Sequence, residues 1–134
     1  MPNSLLRPQR RVTRFCTRPV TITDREQYIN ECCVGGDIIC DALLPAVRER
    51  FQDVESAQED WGWFIWCKQG PLMLAIDVYT DDADAGAFRV CLTTRVKKFF
   101  GYKDVDTPEL DELRTFVEAE LARIGATGIR PESD

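Results

Sequence analysis

The chain has 134 residues, 44% hydrophobic and 30% charged, with a formal net charge of −6 and no histidine. That length suits one ordinary domain whose core is large enough to fold without staples, and the negative charge argues against generic nucleic-acid binding, which draws its affinity from neutralised phosphates. The missing histidine excludes Ser-His-Asp and Cys-His hydrolases and most histidine-containing metal sites.

Residues 1–10 carry two prolines and no hydrophobic period, so a flexible arm is expected there. Arg7, Arg10, Arg11, Arg14 and Arg18 make this end basic. The arm from Arg7 to Arg18 is the only hint of nucleic acid, and such arms are usually solvated tails. No stretch reaches the ~20 apolar residues of a membrane span, and the start lacks the apolar core of a secretory signal. The expectation is a cytoplasmic protein without a membrane partner.

"RVTRFCT", 11–17, has the β-branched and aromatic content of a first strand. In "TITDREQYINECC", Thr23 and Glu26 match a capping box, predicting a helix that ends before Gly35-Gly36. "DIICDALLPAVRERF" places Ile39, Leu43, Ala46, Val47 and Phe51 on one helical stripe. Pro45 leaves two readings open. The helix runs kinked from Asp37, or it starts at Asp41 and keeps the proline near its first turn.

Three strands follow. "DWGWFIWCK" leads through Gln69-Gly70-Pro71 into "LMLAIDVYT", and an acidic loop leads on to "FRVCLTTRVKK". Alternation sets Trp61, Trp63, Ile65 and Cys67 on one side of the first, with Gly62, Phe64 and Trp66 on the other. Leu72, Leu74, Ile76 and Val78 share a face of the second, opposite Met73, Ala75, Asp77 and Tyr79. In the third, Phe88, Val90, Leu92 and Val96 oppose Arg89, Cys91, Thr93, Arg95 and Lys97. "FFGYKDVD" reads as a connector. Thr107-Pro108 then opens a helix with Leu110, Leu113, Phe116, Val117, Leu121 and Ile124 at helical spacing. Gly125 is its C-cap, and 127–134 reads as a frayed tail. The fold class is α+β: an antiparallel β-meander of about four strands with two to three helices packed on one face, one domain over 11–126.

Neither a phosphate-cradling G-x-x-x-x-G-K-[ST] loop nor a dinucleotide G-x-G-x-x-G is present. "TDDADAG" resembles a calcium loop until counted. With Gly86 at position six, positions one, three and five are Asp81, Ala83 and Ala85, and one carboxylate does not make an EF-hand. Glu59 or Asp60 set against Asp77 would make a carboxylate pair of the glycosidase kind. The bland reading pairs Asp77 with Arg89 or Arg95 on the neighbouring strand. The six cysteines, Cys16, Cys32, Cys33, Cys40, Cys67 and Cys91, form no C-x-x-C pair. They read as reduced core residues, with a redox or metal role at Cys32, Cys33 and Cys40 left open.

No cofactor, metal or catalytic residue is therefore expected. An aromatic cluster bordered by arginine and acid has the composition of an interaction hot spot. Trp63, Phe64, Trp66, Asp77, Tyr79, Arg89 and Arg95 are the candidate partner-binding residues. They would engage a protein partner or a second copy of the chain. The alternative is that the chain's own segments cover these aromatics. This size, charge and lack of motifs suit a bacterial accessory or inhibitor protein of the immunity type. The other reading is a small-ligand binder or carboxylate-dependent enzyme with a pocket near Asp77.

Overall fold

Three alternating runs build the centre of the sheet as β3 (Gly62–Gln69), β4 (Leu72–Asp82) and β5 (Ala87–Lys98). Their register places Ile65 beside Ile76 and Ile76 beside Leu92, with Val78 beside Val90, so one face is a continuous apolar sheet. The computed structural model describes residues 10–18 and 25–132. Most of the expected arm, with Arg7, and the proposed capping residue Thr23 lie outside the described residues.

The expected four-strand meander with two to three helices is not what forms. The sheet has seven antiparallel strands in the order β2-β3-β4-β5-β1-β7, with β6 also paired to β5. Among the described residues two α-helices accompany it, α1 (Gly36–Arg50) and α2 (Pro108–Arg123). Strand β1 (Arg11–Cys16) lies along the first half of one edge of β5, and β6 (Gly101–Val105) along the second half. β7 (Thr127–Pro131) pairs with the outer edge of β1, where a frayed tail was expected. β2 (Gln52–Glu59) forms the opposite edge. Its sequence, QDVESAQE, is polar because an edge strand with solvent beside it has little apolar surface to hide. The run "FFGYKDVD" supplies a hairpin turn and β6 rather than a plain connector.

Both helices pack on the apolar face. Ile39, Leu43, Leu44 and Val47 of α1 join Leu110, Leu113, Val117 and Leu121 of α2 and the inward residues of β1 and β3–β5 in one core. Each such aliphatic contributes roughly 1.5–3 kcal/mol when fully removed from water. Polar ties sit at the margins. Thr13 donates to Glu118 Oε2 at 2.9 Å, and Arg11 holds Asp106 and Asp111 at 2.9 and 3.1 Å, fastening α2 to β1.

The predicted helix in "TITDREQYINECC" is instead a pair of 3₁₀ turns, Arg25–Gln27 and Glu31–Cys33. Tertiary bonds override the helical pattern here. Ile29 N donates to Gln58 Oε1 at 2.8 Å, Asn30 Nδ2 donates to the Asp60 carbonyl, and Asn30 Oδ1 caps the second turn through Cys32 N. α1 starts at Gly36, earlier than either expected start, with Pro45 inside it. Pro45 is on the exposed side, so the Asp41 carbonyl that loses its partner is open to water. No helix among the described residues is long and apolar enough to cross a membrane.

Candidate functional site

The face of the sheet opposite α1 and α2 carries the charged and aromatic residues. Cross-strand register orders them in rows: Phe64, Asp77, Cys91; then Trp66, Ala75, Thr93; with Tyr79 beside Arg89 and Met73 beside Arg95. Small residues (Ala75, Cys91, Thr93) therefore run down the centre, and large ones ring them. The rim is half-exposed, while Phe64, Asp77 and Thr93 are 7, 8 and 5% exposed.

Six of the seven sequence candidates share this face: Phe64, Trp66, Asp77, Tyr79, Arg89 and Arg95. Trp63 does not. It points to the helix side, donates from Nε1 to the Cys33 carbonyl at 2.8 Å, and packs against the core. Trp61, which alternation would put with Trp63, precedes the first residue of β3 and turns the other way. Its ring lies 5.3 Å from that of Tyr79.

Each arginine is held from two sides. Arg95 donates from Nε to Asp104 at 3.0 Å and lies 5.7 Å from the Trp66 ring centre. Arg89 donates from Nε to Asp81 at 2.9 Å and lies 4.6 Å over Tyr79. Arg14 bonds the other oxygen of Asp81 at 2.9 Å. The expected Asp77–arginine pair does not form, because Arg89 and Arg95 stand opposite Tyr79 and Met73 and meet other acids. Asp77 instead accepts a bond from Trp66 Nε1 at 3.2 Å. Trp66 stacks on Phe64, 4.1 Å between ring centres.

Burial pushes the Asp77 carboxyl above the usual carboxylate range, opposed by the Trp66 bond and the charge of Arg95 and helped by Asp104. Burial likewise raises the Tyr79 hydroxyl and the Cys91 thiol. Beside them, the Thr93 hydroxyl is buried without a hydrogen-bond partner among the described residues. A buried hydroxyl left unpaired costs about 1–3 kcal/mol, so its position is unusual for a plain structural sheet.

Glu59 is exposed and sits two strands from Asp77, a separation of about 10 Å from strand spacing alone. Asp60 lies in the β2–β3 turn. The TDDADAG run is a closed loop in which Asp82 accepts from Ala85 N at 3.2 Å and Gly86 N donates to Ala83 at 3.1 Å. Cys32 is exposed, Cys33 and Cys40 are buried in separate clusters, and all six cysteines are free. Among the described residues no group of three or more acidic, cysteine or histidine side chains is placed to hold a metal.

One surface feature escaped the pattern reading. Phe99 and Phe100 form the tip of the β5–β6 hairpin and are fully exposed, at 101 and 102%. The signal was present in "KKFFGYK", two adjacent phenylalanines between lysines, but it matches neither strand nor helix periodicity. Comparison with protein-family models, with curated proteins and with solved structures returned no match. The functional reading therefore rests on the chain's own residues.

Proposed function

We propose that the chain is a protein-binding domain of the accessory or inhibitor kind, engaging a protein partner or a second copy through the sheet face around Trp66, Tyr79, Arg89 and Arg95. The observation that supports this most is the clamping of both arginines. Each guanidinium already lies between a carboxylate and an aromatic ring while remaining part-exposed. Fixing a long side chain beforehand removes an ordering cost of about 0.5–1.5 kcal/mol per residue from binding. Arginine and aromatic residues are also the side chains that dominate interface energies. Six free cysteines suit a reducing compartment, and we place the protein in the cytoplasm.

Paired capture and sedimentation experiments test this. Arg89→Ala/Arg95→Ala removes rim side chains that the core does not need. A protein captured from source-cell extract by the wild type and lost with the double variant supports the reading, as does a wild-type dimer that the variant turns to monomer. If the variant keeps the same partners and sedimentation, the reading fails.

A second reading is favoured by Thr93 and Asp77 together. An unpartnered buried hydroxyl beside a buried carboxyl suits a small ligand bearing hydrogen-bond donors, set among Trp66 and Tyr79. Calorimetric titration with amines and amides, with Thr93→Val as the control, would show saturable binding that the valine variant loses. No heat of binding for any of them removes this reading.

A further inference from the structure

We propose that the β5–β6 hairpin tip is a docking element for an anionic lipid surface, a contact independent of the sheet-face reading. The turn itself does not ask for phenylalanine. Short hairpin loops favour glycine, asparagine and aspartate, and the left-handed residue that this one requires is supplied by Gly101 at φ 99°. Phe99 and Phe100 therefore occupy positions where polar residues would serve the fold better. Both rings stand clear of the rest of the chain. Two adjacent phenyl groups left in water are a cost that the folded protein does not recover by itself.

Charge identifies the surface they suit. Lys97 lies on one face of the hairpin beside Tyr102, while Lys98 and Lys103 lie on the other. All four side chains are exposed, and none of the lysines makes an ion pair among the described residues. Asp104, the acid within β6, is engaged by Arg95. The chain as a whole carries −6, so an anionic surface repels the body and attracts this end, which sets the orientation of approach. A convex tip with two apolar rings needs no matching pocket when it enters a bilayer interface, where aromatic side chains settle at headgroup depth and lysines meet the phosphates. The hollow beside the tip, along Lys97, Lys98 and Phe99, is wide open and the two rings project from it, so a partner protein would need a cleft shaped to receive them. The absence of a spanning helix does not bear on such a contact. Its strength is that of a weak, reversible anchor.

The test uses the full chain and co-sedimentation with vesicles of phosphatidylcholine alone or mixed with phosphatidylserine. The expected result is binding to the mixed vesicles, weakened by salt, and little to the neutral ones. Each lysine removed should lower partitioning about fivefold, so Lys97→Gln/Lys98→Gln/Lys103→Gln should lose about a hundredfold. Phe99→Ser/Phe100→Ser should lose at least about tenfold with unchanged circular dichroism. Soluble glycerophosphoserine should not displace the protein, since it offers no interior for the rings. The proposal is overturned if the wild type does not bind the mixed vesicles. It is also overturned if the serine variant binds equally well, or if the soluble headgroup competes, which would indicate a simple phosphate site.

Discussion

Phe64→Ala separates what the aromatic sheet face does for the fold from what it offers a partner. Phe64 is 7% exposed, stacks on Trp66, and stands between Ala57 of β2 and Asp77 of β4. Truncating a buried phenylalanine costs about 3–5 kcal/mol, depending on how far the site can collapse. β2 is an edge strand and can close in, so the lower end, about 3 kcal/mol, is expected. A chain of this size has a total stability of roughly 7–20 kcal/mol. The variant should therefore still fold, with its urea midpoint lowered by about 1.5 M at a slope near 2 kcal/mol/M. Trp66→Phe keeps a ring on Phe64 and loses the bond to Asp77, and should cost only about 1 kcal/mol. Far-ultraviolet circular dichroism is the right monitor, because a tryptophan is itself being changed. A midpoint shift below about 0.5 M for Phe64→Ala would refute the reasoning. It would mean that the ring is not part of the scaffold.

Three further outcomes concern Asp77, Gly86 and the cysteines. Because burial raises the Asp77 carboxyl, the folded chain holds that proton more tightly than the unfolded one, and stability falls as pH rises through the folded value. Asp77→Asn should therefore raise the melting temperature at neutral pH but not at acid pH below the usual carboxylate range; parallel pH profiles for the two proteins would sink this. Gly86→Ala should destabilise by more than about 2 kcal/mol in thermal scans, since Gly86 has φ 68° and an added Cβ would strike the Thr17 carbonyl and come within 3.0 Å of that of Arg18; an unchanged melting temperature would contradict the β4–β5 loop geometry. In the native protein a thiol reagent at neutral pH should label exposed Cys32 readily. It should spare Cys40 and Cys67, whose thiols burial pushes up to about 12; prompt labelling of Cys40 would show that α1 does not stay on the sheet.

The parts of the fold legible in the sequence are those where burial writes a period. Leu74, Ile76, Val90 and Leu92 alternate because one side of each strand faces α1 and α2, and Leu110, Leu113, Val117 and Leu121 repeat because one stripe of α2 does. β2, β6 and β7 are edge or near-edge strands with mostly exposed residues, so nothing in their composition announces a strand. Missing them turned a seven-stranded sheet into an expected meander. The stretch before α1 failed differently. Its local capping pattern is helical, but Asn30 and Gln58 tie it to the β2–β3 end, and those bonds join residues about thirty positions apart. For the sheet face, alternation grouped Phe64 with Trp66 and Arg89 with Arg95 correctly by side, and it also put Trp63 opposite Phe64. Which carboxylate meets which arginine was not legible, because that depends on register between strands.

β1 spans residues 11–16, yet the strands on its two sides are β5, at 87–98, and β7, at 127–131. In a chain made from its N terminus, β1 therefore emerges some seventy residues before its first neighbour, and one of its edges stays open until α2 has been made. Assembly at this edge runs against the order of synthesis. The meander β2–β5 can close on itself early through short turns, whereas β1 must be kept from other unpaired strands while it waits. Its two arginines, Arg11 and Arg14, and the threonine between them interrupt the apolar positions and make it a poor template for aggregation during that interval.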